Sequence, residues 1–498
     1  MLFNSFNFIF LYIPIVLAGY FALGRFSHRS AIAFLATASL FFYGYWTLKY
    51  IPLLLTSIAF NYLSGSLISR LKAGNKGTHK NAYIALTIAV SCNLALLGYY
   101  KYTAFVMEAL SSLLGYTYTD PHIDLPLGIS FFTFTQIAFL VDVYRGKAHE
   151  RNVVNYTLFI TFFPHLIAGP ILHHKQMIPQ FYDTSRTRLK SSNIAIGLSI
   201  FTLGLAKKVL IADQAAPFAN AVFSASTSGN VAMFDSWIGA LAYTMQLYFD
   251  FSGYSDMAIG VSLMLGINIP INFWSPYKAT SIIEFWRRWH MTLSTFLRDY
   301  LYIPLGGNKH GETRRIFNLF LTMLLGGIWH GAAYTFVIWG ALHGILLVFN
   351  HIYRKIIKSF NLEWLSGFAP VKLLYWAITM FCVIIAWVFF RAESVKSAVT
   401  ILNSMITYNQ NPSIFSELDQ TIALAVIATA TVIVLGVRNT AELFGLNKEG
   451  QIVQVCSNAP YKWSQSLPWA ALLATLFFFG IVMQFGTDAP NHFLYFQF

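Results

Sequence analysis

The sequence predicts an all-α, polytopic membrane protein. Three observations carry that prediction. Of 498 residues, 56% are hydrophobic and only 11% are charged, against about 25% charged in soluble proteins. The apolar residues gather in long runs, several of them about 17–25 residues, the length that spans a bilayer. Aromatic residues reach 17%, with 46 Phe, as lipid-facing surfaces and interfacial belts require. Together these exclude a soluble enzyme with a single anchor.

Taken in order, the runs at 7–24, 31–47, 51–69, 82–104, 127–143, 153–169 and 193–212 read as candidate helices. So do 235–264, 316–329, 332–350, 371–390, 421–437 and 468–485. This gives about 11–13 transmembrane or re-entrant helices in a single domain over 1–498, the span length being the guide. Residues 1–6 carry no positive charge and no small-residue cleavage site follows the first run, so that run reads as a membrane helix rather than a signal peptide. The segment 153–172 is flanked by basic residues on both sides and holds Pro164, Gly169 and Pro170. Proline breaks a helix, so a re-entrant segment with its backbone buried in protein is expected, placing His165 inside. Residues 266–313 are amphipathic and basic and read as interfacial helices. Residues 392–420 read as one extracytoplasmic helical loop.

The net charge is +13. Its excess sits in short loops between apolar spans, which points to the positive-inside rule and away from nucleic acid. With the basic loops in the cytosol, both termini lie outside. Cys92, Cys382 and Cys456 are far apart, and their spacing suggests neither a metal site nor a disulfide framework. Motifs of the GxSxG, HExxH and Walker types are absent, which disfavours lipase, zinc protease and ATPase chemistry.

The chemistry-bearing residues concentrate in 285–344. Three histidines, His290, His330 and His343, lie in or beside apolar segments, with Arg287, Arg288, Arg298 and Asp299 near the first. Polar side chains are costly in a bilayer and mark function by default. His330 ends a run of about 14 uncharged residues, roughly 21 Å of helix and short of the ~30 Å hydrocarbon core. It is therefore expected well inside the membrane, where a base can serve groups arriving from either side. A buried imidazole is held neutral, the form a general base needs. The other reading of His330 is a buried histidine bonded to a neighbouring helix. The glycines Gly326, Gly327 and Gly331 point to close approach by a ligand or a backbone. His290 either orients substrate or belongs to an interfacial charge network, and His343 reads as packing. Arg287, Arg288 and Arg298 are candidates for holding phosphates, which arginine recognises bidentately, or else for anchoring the segment at anionic headgroups. Trp329 and Asp250 are candidates for substrate contact. Asp250 and Asp256 also read as structural ion-pair partners.

Seven stretches in order resemble the membrane-bound O-acyltransferase (MBOAT) family, in its bacterial polysaccharide branch of the alginate O-acetyltransferase type. They are LPLGISFFTFTQIAFLVDVYRG at 125–146, PHLIAGPI at 164–171, QLYFDFSGYSDMAIG at 246–260, FWRRWHMTLSTFLRDYLYIPLGGN at 285–308, GGIWHGAAYTFVIWGALHG at 326–344, WVFFRA at 387–392 and FLYFQF at 493–498. The resemblance implies a ring of membrane helices around a thinned centre with a tunnel, and a catalytic core of about 125–350. It implies that His330, the histidine of the WHG motif, is required for acyl transfer and that His290 is the second histidine of the pattern. It further implies acetyl-CoA as cytosolic acyl donor, an extracytoplasmic polysaccharide as acceptor, an SGNH-type acetyltransferase as partner, and the bacterial inner membrane as location. Two competitors remain. One is D-alanyl transfer to teichoic acids from an acyl carrier protein, which needs a docking surface instead of a CoA pocket. The other is a transporter or flippase without chemistry, against which the lack of internal repeats counts.

Overall fold

The computed structural model describes residues 1–74, 76–118, 122–167, 169–229, 231–408, 411–453, 463–486 and 493–494. Cys456 and most of the final FLYFQF stretch lie outside the described residues. Among these residues the protein is helical, with no strand. Eight helices among the described residues are long and apolar enough to cross a membrane: Asn7–Phe26, Leu48–Ala73, Thr78–Leu114, Ser191–Ser228, Tyr334–Ser359, Ala369–Arg391, Glu417–Gly436 and Leu467–Phe485. Each falls on one of the expected runs. The protein is thus a multi-pass membrane protein.

The chain divides into two compact units. The first comprises Met1–Leu203, Tyr254–Ile271 and Phe444–Asn458. Here helix Ile51–Ala73 packs on Lys76–Leu114 and Ile129–Tyr144, and Ile13–Phe26 packs on His28–Trp46. A buried polar clasp ties three of these helices together. Asn93 Nδ2 donates to Asn61 Oδ1 at 2.7 Å, and Ser57 Oγ donates to Gln136 Oε1 at 3.2 Å. The Pro164 segment breaks as its sequence requires. Helix Val153–Thr161 stops, Phe163–Leu166 forms one turn, and His165 is buried with Nε2 3.0 Å from the Phe159 carbonyl oxygen.

The second unit comprises Gly204–Gly253, Asn272–Leu443 and Ala459–Phe498. Its core is one apolar cluster that includes Tyr243, Tyr277, Phe285, Trp289, Trp339 and Trp387. Within 266–313, the chain folds into the short helices Ile282–Arg288 and Met291–Leu297, which bury Phe285, Trp286, Trp289 and His290 and leave Arg287 exposed. The reason is aromatic packing: Trp289 lies 4.9 Å from Trp387 and 5.0 Å from Phe273, ring centre to ring centre. One expectation changes here. The helix ending at His330 begins earlier than its apolar run. It covers Gly311–His330, 20 residues, about 30 Å at 1.5 Å per residue, so helix length no longer argues that His330 stops short of the far side. Its polar first turn stays helical because Arg315 pairs with Glu312 at 2.7 Å, three residues apart on one face. The loop after Arg391 is helical over Val395–Ile406, as expected.

Candidate functional site

His330 is the last residue of its helix and Gly331 follows in extended conformation. The flanking glycines answer to packing. A Cβ on Gly327 would lie 2.7 Å from Gly340 Cα, so helices Gly311–His330 and Tyr334–Ser359 cross backbone to backbone at this pair. A Cβ on Gly331 would strike the Phe336 ring. The close approach that these glycines permit is therefore that of a neighbouring helix.

The crossing presses an aromatic box onto the imidazole. His330 is 8% exposed, and its ring centre lies 4.8 Å from Trp329, 5.0 Å from Trp339 and 5.2 Å from Phe390. Trp339 in turn touches His343 at 4.8 Å, one helical turn away on its own helix. The Trp286 indole donates to His343 Nδ1 at 3.2 Å. Trp387 and Phe390, from the WVFFRA stretch, close the box from a third helix. His330 and His343 thus share one indole.

His290 has different surroundings. It caps the helix Met291–Leu297 in the left-handed conformation, with φ +42°. Outside glycine this region is sparsely used, and histidine is among the residues that tolerate it. Asn272 holds it there. The Met291 amide donates to the Asn272 carbonyl at 3.0 Å, and Asn272 Oδ1 accepts from Thr292 Oγ1 at 2.6 Å and lies 3.3 Å from His290 Nδ1. An amide oxygen only accepts, so Nδ1 carries the proton and Nε2 presents the lone pair. The ring stands edge-on to Phe251 at 4.8 Å. Burial pushes the imidazole down to about 3.

The arginines separate by partner. Arg288 pairs with Glu284 at 2.6 Å, and Arg298 is held by Asp299 through two bonds of 2.7 and 3.1 Å. Arg287 is exposed, and it acts electrostatically on His351 together with Arg315 and Arg354. Arg354 also donates to Ser281 Oγ at 3.1 Å. Arg315 is paired with Glu312 at 2.7 Å, so the charge around His351 is mixed rather than purely cationic. Asp250 is buried against Lys208 at 2.8 Å and accepts from the Leu494 amide at 3.1 Å. Lys208 also pairs with Asp213 at 2.7 Å.

Sequence reasoning missed Trp339, Trp286, Trp387, Phe390 and Asn272. Trp339 was legible in principle, because it stands four residues before His343 on a helix face. The others come from distant stretches whose approach no spacing encodes.

A model of the membrane-bound O-acyltransferase family matches residues 43–390. The chain is 44% identical over 438 residues to a peptidoglycan O-acetyltransferase of Helicobacter pylori, covering 82% of this chain and 80% of that protein. It is 40% identical over 512 residues to a probable alginate O-acetylase of Pseudomonas putida, end to end in both. A teichoic acid D-alanyltransferase of Bacillus subtilis is 29% identical over 249 residues, 48% of this chain and 62% of that protein.

Proposed function

Because the chain belongs to the membrane-bound O-acyltransferase family, and is an O-acyltransferase on that ground, we propose that it moves acetyl from cytosolic acetyl-CoA to a hydroxyl of a glycan outside the cytoplasmic membrane. The observation that carries the mechanism is the setting of His330, a nearly sealed imidazole at a helix end among three aromatic rings. As general base, His330 takes the proton of the acceptor hydroxyl while its oxygen attacks the thioester carbonyl. The imidazolium then protonates the leaving thiolate. General-base catalysis of this kind contributes about 10²–10⁴-fold. His290, held by Asn272 with Nε2 as its lone-pair nitrogen, is the second histidine of the reaction path. Trp329 borders the acyl group beside His330. The exposed guanidinium of Arg287, with Arg315 and Arg354 acting on the same His351, suits the phosphates of CoA. Arg288 and Arg298 serve that site through the segment they brace. Asp250 supports the acceptor side through its Lys208 pair rather than by direct contact.

The acceptor is an alginate-like exopolysaccharide, reached with the help of an SGNH-type acetyltransferase in the bacterial inner membrane. The high identity to a peptidoglycan O-acetyltransferase favours peptidoglycan as the second reading. D-alanyl transfer has weaker support, since that similarity covers under half of this chain.

The test uses purified protein in detergent with radiolabelled acetyl-CoA. Alginate-like oligosaccharide, peptidoglycan fragments and an SGNH-type partner are supplied in turn. Acetyl transfer to one glycan supports the reading and selects the acceptor. Turnover with a D-alanyl carrier protein and none with acetyl-CoA would replace it.

A further inference from the structure

The ring stack that touches His330 holds buried donors without an acceptor, among them the Trp387 indole. Two of these donors lie on the helix Tyr334–Ser359 and have no role in the reaction as described so far. The first is on His343, which is 0% exposed. An indole nitrogen only donates, so the Trp286 bond requires that His343 Nδ1 carry no proton. The imidazole is therefore the neutral tautomer with its proton on Nε2. That Nε2–H is buried and has no acceptor. The second is the indole N–H of Trp339, 1% exposed and likewise without an acceptor. Buried donors are almost always paired, and each one left alone costs about 1–3 kcal/mol. Two on one helix, four residues apart, both on the ring stack that touches His330, call for an acceptor that arrives with substrate.

We propose that Trp339 Nε1–H and His343 Nε2–H form the oxyanion site of the acyl transfer. The inference rests on the acyl-transfer reading above and adds two catalytic residues to it. The acceptor hydroxyl oxygen bonds to the carbonyl carbon of the acyl thioester, and its proton passes to His330. The carbonyl π pair moves onto oxygen, where the two N–H groups receive it. Collapse restores the carbonyl and breaks the carbon–sulfur bond. The thiolate leaves with the proton from His330, giving ester and free thiol. Neutral donors in an apolar box suit this task. They bind the ground-state carbonyl weakly and the charged oxygen strongly, and they need no reorganisation. Trp286 holds His343 in the required tautomer and acts as a positioning residue.

Trp339→Phe keeps the ring and removes the N–H. His343→Leu removes the second donor, whereas His343→Gln keeps an N–H at similar reach. With acetyl-CoA as donor, Trp339→Phe and His343→Leu are expected to lower kcat by about 10²-fold or more. KM for acetyl-CoA and the melting temperature should stay near wild type, and His343→Gln should recover part of the loss. A spectroscopic readout separates this from packing. In the His330→Ala background, which leaves the thioester intact, the carbonyl stretch of ¹³C-acetyl-CoA should shift to lower frequency on binding. Adding Trp339→Phe should reverse part of that shift. Wild-type kcat in Trp339→Phe, or an unshifted carbonyl, would overturn the proposal and leave an ordered water as the partner of these donors. If Trp339→Phe does not fold, the His343 pair decides: equal activity of Leu and Gln variants overturns it. Transfer that needs His330 but ignores both donors removes this inference alone. Transfer indifferent to His330 removes His330 as the base as well, and no transfer from acetyl-CoA by the wild type removes the acetyl-transfer reading itself.

Discussion

His330 closes its helix against three aromatic rings, whereas His290 opens one in a left-handed conformation braced by Asn272. Both histidines were legible in the sequence, His330 because it stands out in an apolar run and His290 because it follows the arginine pair of RRWH. Their partners were not, since Asn272, Phe251, Trp339 and Phe390 come from other stretches. Three histidines outside the eight spans have a measurable consequence. Burial pushes His290 down to about 3, and His165 and His174 down to about 4. Unfolded histidines titrate near 6.5, so below that pH the unfolded chain binds more protons than the folded one. The stability these groups contribute is thus present above about pH 6.5 and is lost as the pH falls towards their folded values. Melting in detergent should occur at lower temperature at pH 5 than at pH 7.5. His290→Asn, which also tolerates the left-handed conformation, should narrow that gap. An unchanged gap in the variant would show that His290 is not its source.

At the scale of elements, the crossing of helices Gly311–His330 and Tyr334–Ser359 sets the site. Gly327 and Gly340 meet there without side chains, and this seats Trp339 on His330. Gly327→Leu should wedge the helices apart. Overpacking of this kind typically costs about 1–3 kcal/mol, readable as a lower melting temperature with a matching fall in acyl transfer. Wild-type melting and activity would show that the crossing has slack. The glycines announced a close approach in the sequence, but periodicity could not say whether ligand or backbone would make it. The helix start at Gly311 was hidden for a related reason. Hydropathy reports where the apolar run begins, while the Glu312–Arg315 pair keeps a polar turn helical before it. In the 266–313 segment the amphipathic pattern was legible, but not which partners its aromatic face would meet: Phe285, Trp286 and Trp289 join an aromatic core with Trp339 and Trp387.

At the scale of the whole molecule, composition sufficed for the class. Eight long apolar helices among the described residues fall where the runs of the sequence place them. The division into two compact units was not legible, because each unit is assembled from three separate stretches of chain. The ion-pair role of Asp250 was legible, but its partner Lys208, which also pairs with Asp213, was not. Acyl transfer with His330 as the proposed base is the claim on which the functional account stands. Its most direct test is single-turnover transfer from radiolabelled acetyl-CoA in proteoliposomes, wild type beside His330→Ala, with both proteins checked for equal insertion and melting. The account predicts that His330→Ala lowers the transfer rate by about 10²–10⁴-fold at unchanged donor binding. Transfer at the wild-type rate by a folded His330→Ala protein would contradict it.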